Sequence, residues 1–195
     1  SHEFKTPLST LRGTLELLGD DPDMDPAQRA RFLANAEAEV ERLGRLVTGL
    51  LELARAEEGV RAQPVALHEV VRRAAARVDG VRVEAEPVTV QGDTDALETA
   101  VGNLVDNARR YGGEGATVVV RCRADGRGAV VEVQDDGPGI PAGNLPKVRE
   151  RFFTTNREQG GTGLGLALVE AVVRAHGGQL EIESQPGRTV VRITL

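Results

Sequence analysis

A histidine and a glutamate stand side by side at the start of the chain, within the segment "SHEFKTPL". At roughly 100° per residue, Thr6 lies about 40° from His2 on a helical wheel and a leucine seam lies almost opposite, so His2 is expected in solvent. An imidazole with a pKa of about 6.5 becomes a nucleophile when a neighbouring carboxylate such as Glu3 accepts its proton. The pattern predicts a nucleophilic histidine, and the alternative is a boundary remnant.

Three polar residues share one face of a helix predicted from Asp95 to about Arg110. Asn103, Asn107 and Arg110 follow one another at spacings of four and three. Two asparagines lower the helix propensity, so a purely solvated face would be better served by Glu or Lys. An amide oxygen can bind Mg²⁺ and an arginine can bind phosphate. The stripe is a candidate ligand site, with an ordinary solvated face as the alternative.

Two glycine-containing segments are candidates for nucleotide binding. In "QDDGPGI", Asp135 follows a predicted strand, where a buried carboxylate can accept a hydrogen bond from an amine such as that of adenine. A turn with positive φ explains these glycines equally well. In "GGTGLGLAL", glycines precede a helix, whose free N–H groups and dipole attract phosphate. This segment matches neither the dinucleotide fingerprint nor the P-loop, and its alternative is a flexible hinge.

The composition excludes several classes of protein. The 195 residues are 40% hydrophobic and carry a formal net charge of −6, which argues against a nucleic-acid or anionic-lipid partner. The single Cys122 cannot form an intramolecular disulfide, so it is interpreted as a packing residue in a reducing compartment. No apolar run reaches about 18 residues, so no membrane-inserted segment is predicted. With only Ser1 before the histidine, the chain is expected to be an excised piece.

The first part of the chain is predicted to form a helical hairpin. Apolar residues recur at steps of three and four from Phe4 to Leu18, although Pro7 is expected to interrupt this helix. Asp25 and Pro26 suit the start of a second helix, whose apolar positions repeat over three heptads. One hairpin cannot cover this much apolar surface. Dimerisation into a four-helix bundle would cover it.

The second part of the chain alternates between helices and strands. Helices are predicted over 67–78, 95–110 and 166–175, and residues 141–160 read as a loop. The predicted strands are "VRVEAEP", "VTVQGD", "TVVVRCRA", "AVVEVQDD", "QLEIES" and "TVVRITL". Mixed helices and strands predict an α+β domain, with the helices on one face of a sheet.

In order along the chain, these segments resemble those of a bacterial sensor histidine kinase. "SHEFKTPL" resembles the phosphoacceptor box, "NLVDNARRY" the asparagine box, "DDGPGI" and "GGTGLGL" the two glycine boxes, and "RFFTTN" the phenylalanine box. The resemblance covers essentially the whole chain. It implies an N-terminally truncated dimerisation and phosphotransfer hairpin over 1–57, a linker over 58–64, and an α+β sandwich over 65–195. That last domain would be the ATP-binding type that histidine kinases share with topoisomerases and chaperones.

The resemblance also implies a role for each motif residue. His2 would attack the γ-phosphate of ATP with Glu3 as proton acceptor, and Thr6 would position a water that dephosphorylates the regulator. Asn107 would hold Mg²⁺, and Asp135 would bind the adenine amine. The remaining implied nucleotide contacts are Asn103, Arg110, Tyr111, Gly137, Gly139, Gly161, Thr162, Gly163, Leu164, Gly165 and Leu166.

The function implied is an ATP-dependent protein-histidine kinase that transfers its phosphoryl group to a response-regulator aspartate and also dephosphorylates that regulator. The expected partners are a receiver domain and a second copy of the chain, without nucleic acid. The piece is expected in the cytoplasm, its parent anchored in the bacterial inner membrane. Two alternatives remain at this point: an ATPase of the same nucleotide fold, and a silent dimeric interaction module.

Overall fold

The computed structural model begins with two antiparallel helices joined by a short turn. It describes residues 2–126, 128–156 and 160–195, and of residue 2 the backbone only. The helices are α1 (His2–Asp20) and α2 (Pro26–Glu58). The predicted hairpin is therefore confirmed.

The starts of the two helices show one confirmed prediction and one wrong one. Asp25 caps α2, since its Oδ2 accepts a hydrogen bond from the Gln28 N–H at 3.0 Å, and Pro26 takes the first turn. Pro7, by contrast, does not interrupt α1, which continues through it. A proline removes one N–H and crowds the carbonyl four residues earlier, here that of Glu3. That carbonyl lies in the first turn, so the loss is confined to the helix end.

The apolar residues of the hairpin divide between two faces. On the inner face, Pro7 and Leu46 are buried. On the outer face the large apolar side chains are exposed, from 46% at Leu33 to 63% at Leu15. The outer set comprises Leu8, Leu15, Leu33, Val40, Val47 and Leu51; Leu17 is also exposed, but it lies on a different side of α1 from Leu15. No helix in the described part of the chain is both long and apolar enough to cross a membrane.

An α/β unit follows the hairpin. Its helices are α3 (Leu67–Ala75), α4 (Thr94–Gly112) and α5 (Gly165–Ala175), and a short 3₁₀ turn covers Leu145–Lys147. Its strands are β1 (Gln63–Ala66), β2 (Val81–Ala85), β3 (Thr89–Gly92), β4 (Val118–Asp125), β5 (Gly128–Asp135), β6 (Gln179–Gln185) and β7 (Arg188–Thr194).

One mixed sheet forms the base of this unit. Its strand order is β2-β4-β5-β7-β6, with β2 parallel to β4 and every other neighbouring pair antiparallel. One face packs against α3, α4 and α5, and the side chains between them are buried. Those that are at most 1% exposed include Leu97, Leu104, Val120, Val131 and Ile193. The predicted α+β layering is confirmed.

Cys122 lies in β4 and is 1% exposed. Burial, together with the nearby charge of Glu86, raises the pKa of its thiol to about 11. The thiol therefore stays protonated and fills space in the core, as predicted.

Two stretches differ from the sequence prediction. The linker expected over 58–64 is shorter, because α2 includes Glu58 and β1 begins at Gln63. β1 was not predicted because it contains Pro64, and a proline argues against a strand except at the edge of a sheet. The strands "VRVEAEP" and "VTVQGD" both form, but in different sheets: β2 pairs with β4, whereas β3 pairs with β1.

The second half of α2 packs against the α/β unit. Leu53 is 2% exposed and belongs to the core of that unit. A Cβ on Gly49 would lie 3.0 Å from Cδ1 of Leu164, so the backbone of α2 packs closely against the Leu164 side chain there. Farther along, Glu57 forms an ion pair with Arg151. α2 thus connects the hairpin to the region of the glycine segments.

Candidate functional site

A cavity of ≈ 760 Å³ lies between α2 and the α/β unit. It collects nearly all the nucleotide contacts predicted from the sequence. Those that line it are Asn103, Asn107, Arg110, Tyr111, Asp135, Gly139, Gly161, Thr162, Gly163, Leu164, Gly165 and Leu166. Gly137 is the one member of the predicted set that does not line it.

The two asparagines of α4 converge on the first residue of α5. Asp93 caps α4 by accepting hydrogen bonds from the N–H groups of Asp95 and Ala96, each at 3.0 Å. Farther along α4, the Asn103 Oδ1 atom lies 3.0 Å from the position that a Cβ on Gly165 would take, and the atoms of the Asn107 amide lie 3.5 to 3.7 Å from that position. A side chain at position 165 would fill the space between these amides.

Asp135 is a buried carboxylate at the end of β5. It is 7% exposed and accepts a hydrogen bond from the Gly137 N–H at 3.0 Å. Burial raises its pKa above the ordinary value; the Gly137 hydrogen bond opposes this shift and the charge of Asp136 adds to it. This carboxylate is held in one orientation and lines the cavity, so it can accept a hydrogen bond from a ligand amine.

Gly137 is required by packing within the protein. A Cβ there would lie 2.5 Å from Gly112 Cα and 2.8 Å from Asp135 Oδ1. The close backbone approach is therefore made by the end of α4. Only backbone fits at this point, and the Gly137 N–H that holds Asp135 depends on that fit.

The second glycine segment leads into α5 and is tied to the aromatic loop before it. Gly163 has a φ of +69°, and a Cβ on it would overlap the backbone of Phe152. The Phe152 N–H donates to the Gly163 carbonyl at 2.8 Å, and Phe152 itself has a φ of +68°. Leu164, in the N-cap position of α5, makes no side-chain cap hydrogen bond. The first N–H groups of α5 therefore remain available to an anion.

The predicted residues of α1 lie outside the cavity lining. Thr6 is exposed and Glu3 is partly exposed, whereas the His2 side chain lies outside the described residues. In an antiparallel hairpin, residues equally far from the turn are level with each other. His2 precedes Asp20 by 18 residues and Gly44 follows Pro26 by 18, and Gly44 lines the cavity. The start of α1 is therefore level with the cavity.

Sequence reasoning missed the contribution of α2 to this cavity. Glu41, Arg45, Thr48 and Glu52 line it from the hairpin side. Their spacing of four, three and four was the available signal, since it places four polar residues on one helix face. The apolar heptads of α2 drew attention away from this stripe.

Thr189 of β7 was also missed as a site residue. It is 7% exposed, lines the cavity, and its Oγ1 lies 2.9 Å from Ser184 Oγ. The same Ser184 oxygen accepts a hydrogen bond from the Ile140 N–H at 2.8 Å. This chain of hydrogen bonds fixes the loop after Asp135.

Comparison with known families decides the relationship. Residues 92–195 match the family "Histidine kinase-, DNA gyrase B-, and HSP90-like ATPase", and residues 1–59 match the "His Kinase A (phospho-acceptor) domain". The chain belongs to the sensor histidine kinases. The resemblance predicted from the motifs is confirmed.

Two mycobacterial relatives of this histidine kinase core align with the whole chain. The "Probable sensor histidine kinase TcrY" of Mycobacterium tuberculosis is 39% identical in an alignment of 212 positions, which covers 100% of this chain and 44% of that protein. The "Signal transduction histidine-protein kinase/phosphatase MprB" of Mycobacterium leprae is 37% identical, over 100% of this chain and 41% of that protein. The chain thus spans less than half the length of these relatives.

Solved structures of histidine kinases share the fold. Full-length ShkA in complex with AMPPNP is 26% identical, with a TM-score of 0.70 over 99% of this chain and 43% of that one. ThkA, solved in complex with the response regulator protein TrrA, has a TM-score of 0.79 over 100% of this chain and 58% of that one. Its identity is 23%, so this likeness shows the fold alone.

Proposed function

We propose that this chain is the core of an ATP-dependent protein-histidine kinase that phosphorylates its own His2. The observation that carries the proposal is the cavity, where a buried carboxylate, two amides and the uncapped start of α5 face the phosphoacceptor hairpin. Its volume of ≈ 760 Å³ falls in the range of about 300 to 1,000 Å³ typical of small-molecule sites. ATP is the substrate that matches these groups.

The cavity has complementary groups for both ends of the nucleotide. Asp135 accepts a hydrogen bond from the exocyclic amine of adenine, and the Gly137 N–H holds the carboxylate in place. The N–H groups at the start of α5 bind the phosphates, favoured by the helix dipole. Arg110 and Tyr111 contact the nucleotide from the last turn of α4, which also lines the cavity.

The residues present fit one Mg²⁺ ion bound together with the nucleotide. No cluster of three His, Cys, Asp or Glu residues suited to a metal occurs among the described residues. Mg²⁺ needs few protein ligands, since it keeps waters and takes phosphate oxygens. The Asn107 amide would hold it beside Gly165, with Asn103 nearby. When bound, the ion neutralises charge on the phosphates.

The chemical step transfers one phosphoryl group. A ring nitrogen of His2 forms a bond to the γ-phosphorus of ATP while the bond to the β,γ-bridging oxygen breaks, and ADP leaves with that electron pair. Glu3 accepts the imidazole proton. Catalysis rests on positioning and on neutralised charge, because phosphoryl transfer needs little covalent help.

The phosphoryl group then passes to an aspartate of a response-regulator receiver domain. An aspartate oxygen bonds to phosphorus as the N–P bond breaks and restores the histidine. ThkA, which shares the fold, is solved in complex with the response regulator protein TrrA. The name "kinase/phosphatase" of the MprB relatives supports dephosphorylation of the regulator, for which the exposed Thr6 would position a water.

The working unit in this proposal is a homodimer. The exposed apolar face of α1 and α2 supports it, because a second copy of the hairpin would bury that face in a four-helix bundle. We further propose that the core works in the cytoplasm, where its nucleotide is found, as part of a longer chain anchored in the inner membrane.

The test is phosphorylation with ATP labelled at the γ-position, in the presence of Mg²⁺. Wild-type protein should acquire label that is lost in acid and kept in base, as expected of a phosphohistidine. His2→Ala should abolish the label, whereas His68→Gln should keep it, because the His68 ring hydrogen-bonds to the backbone of Val88 and does not line the cavity. Hydrolysis of ATP without label on the wild type would instead favour an ATPase.

Asn107→Ala tests the metal position separately. It should weaken binding of a nucleotide in the presence of Mg²⁺ by about tenfold, since one ligand of the ion is lost, and should change binding in EDTA little. Calorimetry with and without Mg²⁺ measures the two affinities. Equal affinity of Asn107→Ala and wild type in Mg²⁺ would remove this residue from the metal site.

A further inference from the structure

The polar stripe of α2, comprising Glu41, Arg45, Thr48 and Glu52, forms one wall of the cavity. It lies opposite the groups that the proposed function assigns to the nucleotide. Its members belong to the hairpin, so any contact they make with a ligand joins the two regions of the chain. Arg45 is the only cation among them.

α2 runs alongside the second glycine segment in a fixed register. The Arg45 Nη2 atom lies 2.6 Å from the position that a Cβ on Gly160 would take. Four residues later, Gly49 packs against Leu164, whose Cδ1 lies 3.0 Å from a Cβ built on that glycine. Arg45 and Gly49 of α2 thus lie beside Gly160 and Leu164 of the segment, respectively. This register sets the guanidinium beside the backbone that leads into the N-terminus of α5.

Charge in the cavity favours a role for Arg45 toward phosphate. Among the described residues that line the cavity, only Arg45 and Arg110 are positive. The carboxylates of Glu41, Glu52, Asp106 and Asp135 line it as well. A triphosphate entering this site needs compensating positive charge close to its oxygens. Guanidinium groups supply such charge together with two parallel hydrogen bonds.

The present ion pair of Arg45 does not hold it away from a ligand. Its Nη1 lies 3.6 Å from Glu41 Oε2, and the two side chains are 46% and 74% exposed. Exposed ion pairs one helical turn apart contribute little to stability, because solvent screens the two charges. A phosphate oxygen competes well for the same donors, because its hydrogen bonds to arginine are charge-assisted.

We propose that Arg45 of α2 binds the phosphates of the nucleotide from across the cavity, so that the hairpin supplies part of the ATP site. This inference rests on the proposed binding of ATP. It assigns Arg45 as a binding residue for the terminal phosphates.

Calorimetric titration of the whole chain with adenosine, ADP and AMPPNP, each with Mg²⁺, tests the proposal. Arg45→Ala should weaken AMPPNP binding by about tenfold, ADP binding less, and adenosine binding not at all, because only phosphate contacts are lost. Arg45→Lys should recover part of the AMPPNP affinity. Arg55→Ala is the matched control, since Arg55 lies on the same helix and does not line the cavity.

Three results would overturn the proposal, and they are distinguishable. If Arg45→Ala binds AMPPNP with an affinity within twofold of wild type, Arg45 does not contact the phosphates, and only this inference is overturned. An equal loss for adenosine and AMPPNP assigns Arg45 to the packing of α2, and a lower thermal stability of the nucleotide-free variant would accompany it. Failure of the wild-type chain to bind AMPPNP would overturn the proposed function together with this inference.

Discussion

The helical hairpin and the α/β unit bury their apolar residues to very different extents. The α/β unit surrounds a continuous core, in which side chains such as Leu104 and Val120 are fully buried. Apart from Tyr111, every exposed large apolar side chain in the described residues lies on the hairpin. The α/β unit thus contains its own core, whereas the hairpin leaves an apolar face that the proposed dimer would cover.

This difference separates two sources of stability. Burial within one chain does not depend on protein concentration, whereas burial between two copies does. The α/β unit should therefore unfold at a denaturant concentration that dilution does not change, and the hairpin should weaken on dilution. Three predictions test this contrast, beginning with the largest effect.

Leu15→Glu should separate the two copies of the chain. Leu15 is 63% exposed on the outer face. In a four-helix bundle, a glutamate at this position would place a charge in the apolar interface of each copy. The dissociation constant from sedimentation equilibrium should rise by about a hundredfold or more. Ser9→Glu, an exposed position on the same helix, is the control and should leave it unchanged. A dimer of normal affinity in Leu15→Glu would place the interface elsewhere.

Leu104→Ala should lower the free energy of unfolding of the α/β unit by about 2 to 5 kcal/mol. Leu104 is 1% exposed, so the truncation leaves a cavity among α4 and the sheet. Urea unfolding at two protein concentrations measures the loss, which should be the same at both. The contrast with the hairpin fails if Leu15→Ala destabilises the same transition equally.

Asp135→Asn should change how stability depends on pH. The raised pKa means that the folded protein holds the Asp135 proton more tightly than the unfolded chain does. Wild-type stability should therefore fall as pH rises from the ordinary carboxyl pKa of about 4 through the raised value. The amide does not titrate, so it should lose this decrease and be relatively more stable at neutral pH.

The difference in unfolding free energy between Asp135→Asn and wild type, followed by urea titration at several pH values, isolates this one group. A flat difference, or one of opposite sign, would contradict the assigned shift. Adenine recognition should be lost in the same variant, because the amide presents a donor where a second acceptor is needed.

Local signals in the sequence were sufficient for most of the elements. The cap at Asp25 with Pro26 located the start of α2, and alternating residues located β4 and β5. The parallel pairing of β2 with β4 was not predicted, because the two strands lie more than thirty residues apart and no local motif specifies their pairing. Continuation of α1 through Pro7 was missed because a rule for helix interiors was applied to a helix end.

The candidate site shows the same division between local and distant information. Residue type and position were sufficient to predict Asn107, Asp135 and the glycine segment as site residues, and all of them line one cavity. The polar stripe of α2 is visible in its spacing, but its place in the cavity wall depends on how the hairpin packs against the α/β unit. Gly137 was predicted as a nucleotide contact, but it does not line the cavity, and the backbone that approaches it belongs to Gly112.

The hydrogen bond from the Phe152 N–H to the Gly163 carbonyl joins the aromatic loop to the glycine segment before α5. Both residues have a positive φ, +68° and +69°, so the bond links two sharp turns of the backbone. A displacement of the aromatic loop should therefore be passed to the start of α5, and the two segments should respond together to a bound nucleotide.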